Sequence, residues 1–135
     1  MSVEQNKASM YRCFEEIWNK GDLSVIPEVI SPDYVDGIRK GLKDFEQMVK
    51  QQRAAMPDLH YTIDQVVGEG DTLAIRLTLT GTFKNKSGDI EPTGKKGSYT
   101  HVLFNRYVNG KCVEATAFGD TLTFYRQWGI PLPKE

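Results

Sequence analysis

Asp120 ends a segment with no other charge, Ala115-Thr116-Ala117-Phe118-Gly119-Asp120, that reads as the second half of a strand. An acid among aromatic and small neighbours is costly to bury ionised, so its proton affinity is expected to rise unless a partner holds the charge. A carboxyl group tuned in this way can take and give a proton near neutral pH. The local alternative is that Asp120 caps the short helical stretch after it, since Asp is favoured at a helix N-cap. The local sequence leaves both open. His101, one of two histidines, shares strand parity with Leu103, Asn105 and Tyr107. It is either a proton-handling group or a structural hydrogen-bonding histidine. His60, at a strand start, is expected to be exposed. Gln52 lies on an otherwise apolar stripe with Phe45 and Met48, where a polar group must find a partner or touch a ligand. Tyr11, Phe14, Trp18, Phe45, Phe83, Met48 and Met56 either line an apolar cavity or fill a core. No spacing of Cys, His or acids suggests a metal site, and Cys13 and Cys112 make no disulfide framework.

The first half of the chain must place these groups with helices. Met10, Cys13, Phe14, Ile17 and Trp18 recur at three- and four-residue spacing, predicting a helix over Asn6–Asn19, capped by Asn6 and stopped by Gly21. Asp22 caps a second short helix reaching Val29, limited by Pro27. Ser31 to Gly37 reads as a turn, a short extended piece and another turn. A third helix over Leu42–Ala55 ends at Met56-Pro57.

Strands follow. Leu59–Val67 leads through Gly68-Glu69-Gly70-Asp71 into Thr72–Phe83, where Leu73, Ile75, Leu77 and Leu79 alternate with Thr72, Ala74, Arg76, Thr78 and Thr80. After a polar loop, Ser98–Val108 and Cys112–Asp120 flank Asn109-Gly110, a strong hairpin signal. Leu122–Trp128 closes the chain as a helical turn. Three helices and then a four-stranded antiparallel meander make an α+β arrangement.

At 135 residues the chain is expected to be one domain over 1–135. Its 17 basic and 18 acidic residues include no long basic block, which argues against nucleic acid or an anionic membrane as partner. No apolar run reaches membrane-spanning length and Met1–Lys7 is polar, so a reduced, cytoplasmic location is the expectation. Thr78, Thr80, Val102 and Phe104 make the outer sheet face too apolar for solvent, predicting a homodimer. Arg53, Arg76 and Arg106 are read as surface or interface groups.

The chain resembles the SnoaL-like polyketide cyclases, or ester cyclases, of the NTF2-like superfamily. The matching pieces run in order: Trp18-Asn19-Lys20-Gly21-Asp22, Ser31-Pro32-Asp33-Tyr34-Val35-Asp36, Met56-Pro57-Asp58-Leu59, Gly70-Asp71, Thr80-Gly81-Thr82, Pro92-Thr93-Gly94, Asn109 to Glu114, Asp120, and Gln127-Trp128-Gly129. The resemblance implies an NTF2-like cone, with three N-terminal helices on a curved antiparallel sheet enclosing a pocket. It implies an acid at Asp120 serving as acid/base in an intramolecular aldol closure, with no metal or cofactor. The ligand would be a small, apolar, carbonyl-containing molecule, and cyclisation or isomerisation the reaction. The His101 face should look into the cone, where His101 could pair with Asp120. Tyr34, Asp36, Met48, Gln52 and Asn105 join Tyr11, Phe14, Trp18 and Phe83 as candidate binding groups, although Asp36-Gly37 also reads as a turn. The chain has Gly37 and Phe83 where the family often has histidines, and Thr116 where it usually has tryptophan. Those departures keep open a second reading, a ligand-binding or regulatory module without turnover.

Overall fold

The stripe Leu73, Ile75, Leu77 and Leu79 is buried to 4% exposure or less and forms the spine of the inner sheet face. In a computed structural model, which describes residues 2–133, the chain builds six strands into one open, curved sheet. The strands are β1 (Ile30–Asp36), β2 (Arg39–Lys40), β3 (His60–Glu69), β4 (Thr72–Thr82), β5 (Lys96–Val108) and β6 (Lys111–Phe118), in the order β2-β1-β6-β5-β4-β3. The central pair, β4 and β5, runs antiparallel without a register break from Thr72↔Arg106 to Thr82↔Lys96. The turn between β5 and β6 has positive φ at both Asn109 and Gly110, the geometry that the Asn-Gly pair favours.

The expected four-stranded meander is thus part of a larger sheet. The Ser31–Gly37 segment is mostly strand: β1 pairs parallel with β6 and antiparallel with the short β2. Its register with β6 shifts between Ile30 and Val35, around Pro32, which has no N–H to give a ladder. That break hides the strand from a period-two reading.

The helices are α1 (Val3–Arg12), α2 (Ile26–Val29), α3 (Gly41–Ala55) and α4 (Thr121–Trp128). Ser2, not Asn6, caps α1: the Gln5 backbone N–H donates to Ser2 Oγ at 3.1 Å, and the Ser2 N–H to Gln5 Oε1 at 2.9 Å. Asn6 sits one turn inside, 2% exposed. From Cys13 to Asn19 the helix widens into π geometry before Gly21 ends it in the left-handed region. Asp22 then caps a 3-10 turn (Leu23–Val25) that runs into α2, with Pro27 in the first turn, where its missing N–H costs no bond.

Several of the quoted sequence pieces act as fasteners. Asn19 clamps the π segment to β3 through both amide atoms, donating to the Tyr61 carbonyl at 2.9 Å and accepting from the Tyr61 N–H at 2.7 Å. Arg53 of α3 donates to the carbonyls of Trp18 (2.6 Å) and Asn19 (3.2 Å), so it is a latch and not the surface group expected. Asp58 accepts from both the N–H and hydroxyl of Thr82 at 2.7 Å each. Trp128 donates from Nε1 to the Gly81 carbonyl at 3.0 Å, with its ring over Gly97, the cross-strand partner of Gly81. A Cβ on Gly97 would lie 2.6 Å from Trp128 Cε2. Gly97→Ala is therefore expected to cost about 1–3 kcal/mol by overpacking, read as a lower urea midpoint at unchanged slope.

Candidate active site

The concave sheet face, α3 and the π segment enclose two adjoining chambers of about 520 and 440 Å³. Both are lined by Arg39, Met48, Gln52, Tyr61, His101 and Ala117, which therefore mark the junction. The chain builds this hollow because β6 faces β5 with small side chains. Ala115 lies opposite Asn105 and Ala117 opposite Leu103, leaving space where larger residues would meet. The π segment contributes Cys13, Phe14 and Trp18 to the first chamber. Phe83, Tyr99, Phe124 and Trp128 wall the second.

Strand parity delivers the polar groups. His101, Leu103, Asn105 and Tyr107 share one face of β5 and all face the first chamber, as the family resemblance implied. The His101 ring stacks on Tyr99 (centroids 5.1 Å apart, planes 17°) and meets the edge of Tyr61. Burial pushes its pKa below the ordinary histidine value, against an opposing pull from the Tyr99 backbone carbonyl. Its Nδ1 is buried without a hydrogen-bond partner, as is Asn105 Oδ1. Asn105 donates from its amide to Tyr107 Oη at 3.4 Å. Gln52 accepts the Tyr61 hydroxyl on Oε1 at 3.2 Å, which orients its amide N–H groups elsewhere.

At the end of β1 the Tyr34 hydroxyl donates to Asp36 Oδ2 at 2.5 Å, and Arg39 approaches Asp36 Oδ1 at 3.4 Å. Burial, then the bond to Asp36, drives the Tyr34 pKa far above the ordinary phenol range, so this hydroxyl keeps its proton. It is committed to Asp36 and is not a free donor for a ligand. The thiols of Cys13 and Cys112 also line the first chamber, and burial pushes Cys112 up to about 12, which leaves it protonated and unreactive.

Asp120 does not behave as the first expectation required. Its carboxylate is exposed, lines neither chamber, and caps α4 by accepting from the Thr123 hydroxyl at 2.7 Å and the Thr123 N–H at 3.2 Å. Those bonds lower its pKa where burial was expected to raise it. No hydrogen bond joins it to His101. Tyr11 is likewise exposed, at 39%, and lines neither chamber. Phe14, Trp18, Tyr34, Asp36, Met48, Gln52, Phe83, His101 and Asn105 do face the hollow. Sequence reading missed Arg39, Tyr61 and Tyr99; Tyr99 shares parity with His101, which could have pointed to it. Among the described residues no cluster of three or more metal-ligating side chains occurs.

This chain belongs to the SnoaL-like polyketide cyclase family, whose profile matches residues 8–128. Its fold is similar to that of TsrD from Streptomyces laurentii, at a TM-score of 0.87 and 20% identity, covering 96% of this chain and 98% of that one. It is similar also to AclR from Streptomyces galilaeus, at 28% identity and a TM-score of 0.79, covering 98% and 89%. IdmH from Streptomyces antibioticus aligns at 25% identity and a TM-score of 0.79, covering 93% and 99%. No curated protein matches by sequence. No helix among the described residues is long and apolar enough to cross a membrane.

The lowered histidine pKa has a stability consequence. Below about pH 6.5 the unfolded chain protonates this ring while the folded one resists, so stability falls on acidification and is fully present above that value. His101→Gln is expected to flatten the decline in urea midpoint between about pH 7 and 5. An unchanged slope would show that another group carries it. The lowered carboxylates Asp58 and Asp120 act in a separate window, losing their contribution as pH falls below about 4.

Proposed function

We propose that the chain, as one cytoplasmic domain, binds a small, largely apolar carbonyl compound and transfers a proton at the carbon beside that carbonyl, without a cofactor. The observation that carries this reading is the place of His101: a titratable ring, its pKa lowered by burial, at the junction of two apolar chambers. Neutral imidazole takes the proton, and the electron pair of the broken C–H bond passes into the carbonyl, giving an enolate. The amide N–H groups of Gln52 offer hydrogen bonds to the developing oxyanion. The imidazolium returns its proton either to a carbon further along a conjugated system, an isomerisation, or to the alkoxide formed when the enolate carbon attacks a second carbonyl. The second course is an aldol cyclisation, the chemistry of an ester or polyketide cyclase. IdmH is described provisionally as a polyketide cyclase and AclR as a hydroxylase, so the neighbours' own descriptions span more than one reaction.

Asp120 is not assigned the proton. A carboxylate tied up by Thr123 and open to water has neither the raised affinity nor the position. The same fact favours the second reading, a binding module that has lost turnover. Exchange of the α-protons of 2-tetralone in D2O, followed by NMR, separates the two. The expected result is exchange faster than in buffer, reduced about a hundred- to ten-thousandfold by His101→Gln and little changed by Asp120→Asn. A ketone that binds without exchanging supports the binding module. Equal loss in both variants returns the role to Asp120.

We also propose a homodimer through the outer sheet face. Thr78 is already satisfied there by Asp64 and Thr100, so the apolar area centres instead on Phe104 and Phe118, 46% and 57% exposed and packed edge to face at 5.8 Å. Light scattering at micromolar concentration is expected to give twice the chain mass, and Phe104→Ser with Phe118→Ser the monomer. A monomeric parent chain defeats the idea.

A further inference from the structure

Arg39 is the only lysine or arginine among the described residues lining either chamber, and it lines both. It sits on β2, just past the hairpin tip Gly37-Ile38, at the rim of the hollow. Its neighbour Asp36 does not absorb it. The Asp36 Oδ2 atom takes the Tyr34 hydroxyl at 2.5 Å, and Oδ1 takes the Arg39 backbone N–H at 3.3 Å. The guanidinium reaches Oδ1 only through Nη1, at 3.4 Å. A guanidinium carries five N–H donors in a planar fork, so most of this one is unspent. Its side chain is 38% exposed, which leaves the donors that Asp36 does not take open to an arriving group at the edge of an apolar space. Arg53, by contrast, is consumed by two backbone carbonyls and lines neither chamber.

The residue before it is as informative. Ile38 is 87% exposed, yet it lines the rim of the first chamber. The hairpin therefore offers an incoming molecule an apolar side chain and a cation side by side. An apolar interior whose rim carries one forked cation, engaged by Asp36 through a single nitrogen, suits a ligand of matching polarity, ring system inward and carboxylate outward, because the donors left free can pair two N–H groups with two carboxylate oxygens.

We infer that the molecule bound here is an apolar ring compound bearing a carboxylate, held at the rim by Arg39. This deepens the carbonyl-compound reading and rests on the same hollow, but its test does not depend on turnover. The probes are 2-naphthoate and its methyl ester, titrated by calorimetry at pH 7.5. The acid is expected to bind about tenfold or more tightly than the ester, with the difference shrinking between 0.05 and 0.5 M salt as screening grows. Arg39→Gln should bring the ratio to about one, leave the ester's affinity unchanged and leave the urea midpoint unchanged; Arg39→Lys should keep part of the preference, as a point charge without the fork. His101→Gln should keep it in full, so loss of ketone exchange and loss of acid preference are separate outcomes. Equal binding of acid and ester, a preference that survives Arg39→Gln, or no binding of naphthoate at millimolar concentration would each overturn the assignment.

Discussion

Everything in the hollow depends on the register between β4 and β5. Eleven cross-strand pairs run from Thr72↔Arg106 to Thr82↔Lys96 without a bulge. This places Leu73, Ile75, Leu77 and Leu79 on the same face as Asn105, Leu103, His101 and Tyr99. A slip of one residue would put the two strands out of phase, turning outward either the β4 stripe or the β5 set, the latter with Thr100, Val102 and Phe104 brought inside. The apolar stripe on β4 holds that strand in phase, since moving four side chains now at 4% exposure or less into water would cost about 6–12 kcal/mol. Core formation and the aim of the site residues are thus one event.

The pieces that mark the family read, in the structure, largely as fasteners. Asn19, Asp58, Gly81, Thr93 and Trp128 hold helix ends and loops to the sheet through backbone and side-chain hydrogen bonds. The Asp120 carboxylate does the same for α4. Such residues fix a shape that many reactions can use, which is why a match over residues 8–128 speaks firmly about fold and only broadly about chemistry.

The strands were legible because alternation and Asn-Gly report directly on burial and turn geometry. Parity grouped His101 and Asn105 on one face of β5, and the family resemblance, not parity, turned that face into the cone. What escaped was set by contacts that no local pattern records. Asp120 was readable both as a buried acid and as a cap, and Thr123, three residues on, decided for the cap by offering both an N–H and a hydroxyl. β1 was hidden by Pro32 and its irregular pairing with β6. Arg39 was overlooked because nothing in Gly37-Ile38-Arg39-Lys40 distinguishes a rim cation from a solvated one until the sheet places β2 beside the opening.

The π segment from Cys13 to Asn19 has a bearing on how this lineage can change. A stretch of π-helix is an α-helix holding surplus backbone, with its carbonyls bonding one residue further along. Removing a single amino acid there would take out that surplus and restore ordinary α geometry, with the chain beyond the segment keeping its place. Only the side chains within the segment would be re-phased, so which of them face the chamber, Cys13, Phe14 and Trp18 at present, would change. Point substitutions can therefore reshape the lining of this hollow gradually, whereas deletions in that one stretch would remodel it in a single step.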